Sequence, residues 1–196
     1  MPLQQMLPTW VAINNANFAS PSGMVDPITG FPYYSGGLSL GDYFDLTEAE
    51  ANAASYTATG TLHSGRYRLV RIDPAAAPSL VIMGRIGSMA HSPDVNTITN
   101  SNQGLGMPVA AGQLPPRTVV FLNTITPGNY GFVQELGIAT LLSSAVIALG
   151  AAVGADPVAG TIHAPAAGDA VIGQALNAVV GGQNTLVLLN LPVVQG

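Results

Sequence analysis

Three histidines, His63, His91 and His163, and ten acidic residues are the groups in this chain best suited to moving a proton or holding a metal. The histidines lie far apart, and none sits in an HExxH or similar spacing that would bring two ligands to one helix face. They read as surface or turn histidines. The acids cluster once, at Asp42, Asp45, Glu48 and Glu50. A glycosidase needs two carboxyls flanking a sugar from opposite sides of a cleft, and close neighbours in sequence do not supply that. Negative charge at this point fits the start of a short helix, where the macrodipole accommodates it. Ser88 has Gly87 before it but Ala90 two residues on, so there is no G-x-S-x-G nucleophile elbow. Gly104-Leu105-Gly106 runs into Met107-Pro108, without the third glycine or the Lys-Ser/Thr of a phosphate-cradling loop. Cysteine is absent, which removes disulfides, thiolate zinc sites and cysteine nucleophiles. No enzymatic activity, cofactor or metal is expected.

The one polarised feature is basic. Arg66, Arg68, Arg71 and Arg85 are four of the five positive charges, and lysine is absent. On a strand Arg66 and Arg68 share one face, with Tyr67 on the other. Such charges are either solvated or paired at a sheet edge, where they discourage aggregation, or they form a small patch that docks an acidic partner. Exposed strand charges usually do the former.

The elements that position these residues follow from composition. Of 196 residues 48% are hydrophobic and only 8% charged, against about 25% charged in an ordinary soluble domain. With five basic residues and a net charge of -5, the chain lacks the clustered cations that neutralise phosphates, so nucleic-acid binding is excluded. One domain is the default at this length, and burial of roughly 70% of the unfolded surface is available to it. The first positive charge is Arg66, so no basic segment precedes an apolar one at the N-terminus, and export by a signal sequence is not expected. Leu136 to Val153 is long enough to span a membrane, but Gly137, Thr140, Ser143, Ser144 and Gly150 interrupt it and no Lys/Arg or aromatic anchors flank it. A buried pair of strands is the better reading, and no membrane association is expected.

Glycine (23) and proline (15) punctuate short runs of Val, Ile, Leu and Thr, the pattern of many short strands. The fold class is therefore mainly β: a compact β-barrel or β-sandwich with an extended N-terminal arm and at most one or two short helices. Thr47 followed by Glu50 is a capping box and Ala49 to Ala54 are strong helix formers, predicting a short helix from about Glu48 to Ser55. Strands are predicted at Tyr56 to Gly60, Arg66 to Ile72, Leu80 to Met89, Thr118 to Asn123, Tyr130 to Glu135, Gly137 to Leu142, Val146 to Val153, Thr161 to Ala164, Ala170 to Ala178 and Thr185 to Leu191. Turns are predicted at Pro74 to Pro78 and Thr126 to Asn129, and a long polar loop from Asp94 to Gly112. Residues 1–45 form the arm and 46–196 the β-rich domain. The arm holds seven of the aromatics, including Trp10, Phe18, Phe31, Tyr33 and Tyr34. Disordered segments are poor in aromatics, so the arm packs either along its own domain or on a partner.

The C-terminal half carries a pattern: Thr-Pro-Gly-Asn-Tyr-Gly-Phe-Val-Gln (Thr126 to Gln134), Gly-Ile-Ala-Thr-Leu-Leu (Gly137 to Leu142), Gly-Asp-Ala-Val-Ile-Gly-Gln-Ala-Leu (Gly168 to Leu176) and Thr-Leu-Val-Leu-Leu-Asn-Leu (Thr185 to Leu191). Over about residues 118 to 191 this resembles the capsid decoration, or cement, proteins of tailed-bacteriophage heads; residues 1–112 are unmatched. The resemblance implies a structural virion protein, made in the host cytoplasm, that binds the outside of the capsid shell and stabilises neighbouring major capsid protein subunits. It also implies a homo-oligomer, with a trimer favoured over a dimer, and no catalytic set. Trp10, Phe18, Phe31, Tyr33, Tyr34, Arg66 and Arg68 are the candidate capsid contacts. The alternative class is a surface-exposed receptor- or carbohydrate-binding β-domain of adhesin type, in which Trp10, Tyr33 and Tyr34 would stack on sugars. Low charge density fits either docking role, because charged groups are depleted from interface cores.

Overall fold

A computed structural model describes residues 41, 43–55, 62–76, 83–89, 97–99, 118–156, 160–166 and 169–194. Within them the run Thr47-Glu48-Ala49-Glu50 starts a helix for the reason the sequence predicts. Thr47 N donates to Glu50 Oε2 at 2.8 Å and Glu50 N donates to Thr47 Oγ1 at 3.3 Å, satisfying two helix-end N–H groups reciprocally. Helix α1 spans Glu48–Ser55, and Ala51 is buried. Among the described residues every other regular element is a strand: β1 Tyr43–Leu46, β2 Gly65–Ile72, β3 Ile86–Met89, β4 Thr97–Thr99, β5 Thr118–Phe121, β6 Tyr130–Leu142, β7 Ala152–Ala155, β8 Ile162–His163, β9 Ala170–Ala175 and β10 Asn184–Val194.

The mainly β class expected from the sequence is the class observed. The strands form one ten-stranded sheet in the order β1-β2-β4-β3-β5-β6-β10-β9-β7-β8. All pairings are antiparallel except that of β2 with β4. Strand β2 pairs with β6 as well as β4, so the first half of the sheet curls back on itself, while the sheet as a whole is not closed into a barrel.

Two apolar cores lie on either side of β5. Its four residues are all buried, as the run of Val119, Val120 and Phe121 after Thr118 demands. By strand alternation Val119 and Phe121 join Val70, Ile72, Ile125 and Val133 in one cluster. Val120 points the opposite way, into the larger cluster with Ile86, Leu141, Ile147, Val153, Ile162, Ile172 and Val187. Burying each such side chain contributes about 1.5–3 kcal/mol, so β5 stabilises both halves.

Several boundaries differ from expectation. Tyr130 to Glu135 and Gly137 to Leu142 are one strand, β6, because Gly137 at φ 97° turns the chain without ending its pairing. Within the predicted Leu80 to Met89 strand residues 80–82 lie outside the described residues, and among the described ones a turn at Met83-Gly84, with Gly84 at φ 77°, precedes the strand Ile86 to Met89. The predicted polar loop contains β4, held by partners outside the loop, Arg71 and Ile72 of β2 and Ser88 and Met89 of β3. The predicted strand at Val146 to Val153 is displaced to Ala152–Ala155. Ala148 to Gly150 turns instead, with Gly150 at φ 76°. Strand β9 ends at Ala175 and β10 runs on to Val194, with a register shift in the stretch containing Pro192, which has no N–H to give the ladder. The predicted strand at Tyr56 to Gly60 lies outside the described residues.

Candidate functional site

Of the arginines singled out by sequence, Arg66, Arg68 and Arg71 lie on β2, between two strands that carry acids. Register places Tyr43 of β1 opposite Arg68 and Asp45 opposite Arg66. On the other side, Tyr67 faces Gln134 of β6 and Arg66 faces Leu136, so Glu135 is an extra, bulged residue. The bulge is secured by the buried Gln134 side chain, whose Nε2 donates to Leu136 O at 3.2 Å and Ile138 O at 2.7 Å. It aims Glu135 along the sheet toward Arg68. Five side chains from three strands thereby form one strip: Tyr43, Asp45, Arg66, Arg68 and Glu135.

Within the strip each cation has its own anion. Arg66 grips Asp45 with two parallel hydrogen bonds, Nε to Oδ1 at 2.8 Å and Nη2 to Oδ2 at 3.0 Å. Arg68 Nη2 donates to Glu135 Oε2 at 3.2 Å, and its Nε stands 2.6 Å from Oε1 as a charge contact out of line for a hydrogen bond. Both guanidinium groups also flank the ring of Tyr43, at 4.7 Å for Arg66 and 5.8 Å for Arg68 from the centroid. The hydrogen bond from Arg66 holds the Asp45 carboxyl below the usual carboxylate range, and Asp45 in turn raises the Arg66 guanidinium. Two cations and two anions cancel, so the strip is a neutral aromatic-and-arginine surface with no surplus positive charge. Beside it Asp45, Leu46, Ser64, Gly65, Arg66, Leu136 and Gly137 line an open depression of about 360 Å³.

Sequence spacing gave no reason to link His163 to any partner, yet the sheet gathers a second polar cluster around it. His163 Nδ1 is 4.0 Å from Asp156 and Nε2 is 3.7 Å from Asp169. The β7–β8 and β8–β9 connections deliver these acids, and the pairing of β7 with both β8 and β9 brings them together. Ser144 Oγ hydrogen-bonds Asp156 Oδ2, and Asp169 Oδ2 accepts from Ala166 N at 2.8 Å. The Ser144 hydroxyl is thus engaged by a carboxylate and not by the imidazole, so the cluster lacks the nucleophile–base contact of a hydrolase. It ties loops together. Among the described residues no group of three or more His, Asp or Glu is placed to hold a metal ion, and no helix is long and apolar enough to cross a membrane.

No model of a known protein family matches the chain, and no curated protein matches it. Among solved structures it is similar to the N base of the head fiber protein gp8.5 of bacteriophage phi29, at 15% identity and a TM-score of 0.43. The match covers 66% of this chain and 98% of that one. A likeness at that level assigns no role to this chain.

Of the candidate contacts, Arg66 and Arg68 lie side by side in the strip, joined there by Tyr43 and Asp45, which adjoin them only through β1–β2 pairing. Arg71 and Arg85 are not among the side chains of the strip. Arg71 is opposite Tyr130 of β6 and Thr97 of β4, and the stem of Arg85 packs over Gly160. Trp10, Phe18, Phe31, Tyr33 and Tyr34, and His91, lie outside the described residues.

Proposed function

We propose that this chain is a structural virion protein that binds the outside of a phage capsid shell and cements neighbouring major capsid protein subunits, acting as a homo-oligomer. The observation that carries the reading is where the decoration-protein pattern falls. The turn at Thr126 to Asn129 feeds β6, and the remaining segments of the pattern supply β9 and β10, which stand beside β6 in the order β6-β10-β9. The pattern is thus one continuous piece of sheet and not scattered coincidences along the chain. From Leu136 to Gly196 that piece contains only two charged residues, Asp156 and Asp169. A surface so poor in charge suits a protein held against neighbours more than a solitary one, whose solubility draws on charge. The neutral Tyr43–Arg66–Arg68 strip adds side-chain types enriched at protein interfaces.

Imaging of purified particles with this chain labelled tests the reading. Label spread over the whole shell is the expected result, and removing residues 1 to 35 is expected to abolish it. Label at a few positions or on a tail would instead point to the receptor- or carbohydrate-binding class and overturn the cementing role.

A further inference from the structure

One end of the C-terminal half presents large apolar side chains to solvent: Val146 is 71% exposed, Leu149 69%, Val180 52% and Leu176 38%. They sit on two segments, 143–151 and 175–183, that are joined along their length by the backbone. Ile147 and Val179 exchange both their hydrogen bonds, at 3.0 and 2.9 Å. Gly182 N donates to Ser143 O at 2.7 Å, Ser143 N to Gln183 O at 3.0 Å, and Gly150 N to Ala175 O at 2.8 Å. Ile147 and Val179 point inward and are buried in the larger core. Their register sets Val146 opposite Val180 and Ala148 opposite Ala178 on the outer face, by the alternation of paired strands. The result is a braced apolar platform whose backbone needs no further ordering on binding.

No charged residue occurs at 136–155 or at 170–196, although the chain as a whole carries a net charge of -5. That contrast selects the occupant. Copies of an acidic chain repel one another, and a symmetric contact brings each residue near the axis close to its own counterpart. Two segments with no charge of their own meet their copies with no like-charge pair between them, whereas a partner recognised by charge finds in them no side chain to pair with. We propose that the platform of Val146, Leu149, Leu176 and Val180 is the face through which copies of this chain associate. The inference rests on the homo-oligomer in the reading above and not on the capsid.

Sedimentation equilibrium of the full chain tests it, alongside Val146→Asp and Val180→Asp. These positions are exposed, and an unchanged far-UV spectrum with a single cooperative melt confirms that the variants fold, a lower melting temperature being expected where association is lost. The expected result is a wild-type mass that is a multiple of 19.9 kDa. Each variant is expected to weaken association by about 100-fold or more, because a charge is then buried unpaired. A second readout uses the absence of cysteine: Val180→Cys is expected to cross-link copies on oxidation, and Ala75→Cys, exposed on the Pro74 turn, is not. A monomeric wild type, or an oligomer that both Asp variants leave intact, overturns the proposal. So does a monomer that needs Val146 and Val180 to bind purified shells, which would give the platform to the capsid. Shell binding scored on the same samples separates failure here from failure of the capsid reading.

Discussion

Arg68 of β2 and Glu135 of β6 stand 2.6 Å apart, and they meet only because Glu135 is the residue that β6 bulges out of register. Their side chains are 17% and 10% exposed, the least exposed ion pair between an arginine and an acid among those described. Removing one charge leaves the other largely desolvated. Glu135→Gln is therefore expected to lower stability by about 2–4 kcal/mol in urea unfolding, and Arg68→Met with Glu135→Leu to recover most of the loss. Equal destabilisation by the single and double variants would show that packing of the stems, and not charge pairing, holds this part of the sheet.

The same strand junction depends on two glycines. Gly65 and Gly137 are register partners, and a Cβ on Gly137 would stand 2.2 Å from Ser64 O while one on Gly65 would stand 2.2 Å from Leu136 O. Both obstacles are backbone, so neither can swing aside. Gly137→Ala is expected to cost more than about 3 kcal/mol, combining positive φ with the clash. Gly182 is the control: its φ is also positive, at 80°, but nothing lies within 4 Å of its missing Cβ. Gly182→Ala is expected to cost about 1 kcal/mol. Thermal melts of the two variants should differ clearly, and similar melting temperatures would refute the steric account.

Local chemistry was legible in the sequence and long-range pairing was not. The capping box at Thr47 and Glu50 predicts the start of α1, because everything it needs lies within four positions. The strand character of β2 and β5 follows from their own apolar residues. Strand β4, by contrast, has no apolar run and exists through its pairing with β2 and β3. The neutral state of the arginine strip was equally hidden, since Glu135 is 67 residues from Arg68 and reaches it through a bulge. Asp156, His163 and Asp169 lie near one another in sequence, but no ligand-type spacing marks them, and folding of β7 against β9 is what closes the cluster.

Acid should loosen the N-terminal edge of the sheet first. Asp45 is held below its ordinary value by the Arg66 hydrogen bond, Glu48 by the Ser64 N–H, and Glu50 by the Thr47 N–H and hydroxyl. All three bind protons less readily folded than unfolded, so each favours the folded state above the unfolded carboxylate range. That contribution is lost as pH falls below about 4 through their lowered folded values. Stability measured in urea from pH 7 to pH 2 is expected to decline in this acid window, and Glu50→Gln to flatten the decline. Glu50→Gln at neutral pH is expected to cost about 1 kcal/mol through the weakened cap. An acid limb unchanged by this substitution would assign the decline to other carboxylates.

Tyr43 offers a test of the strip that leaves the fold alone. Tyr43 is 57% exposed although two guanidinium groups flank its ring, so the residue remains open to a partner. An exposed cation–π contact contributes about 0.5–1 kcal/mol, and Tyr43→Ala is expected to lower stability by no more than that. Aromatic residues beside arginine are common anchors of protein contacts, where truncation costs about 2 kcal/mol or more of binding energy. If the strip docks on capsid protein, Tyr43→Ala should therefore weaken binding to undecorated shells by at least about 10-fold. Arg66→Ala should weaken it as well, while freeing Asp45 as an unpaired negative charge on the same surface. Binding by Tyr43→Ala at wild-type affinity, with an unchanged melting temperature, would remove the strip from the interface and leave residues 1–40 and the charge-free half of the sheet to account for docking.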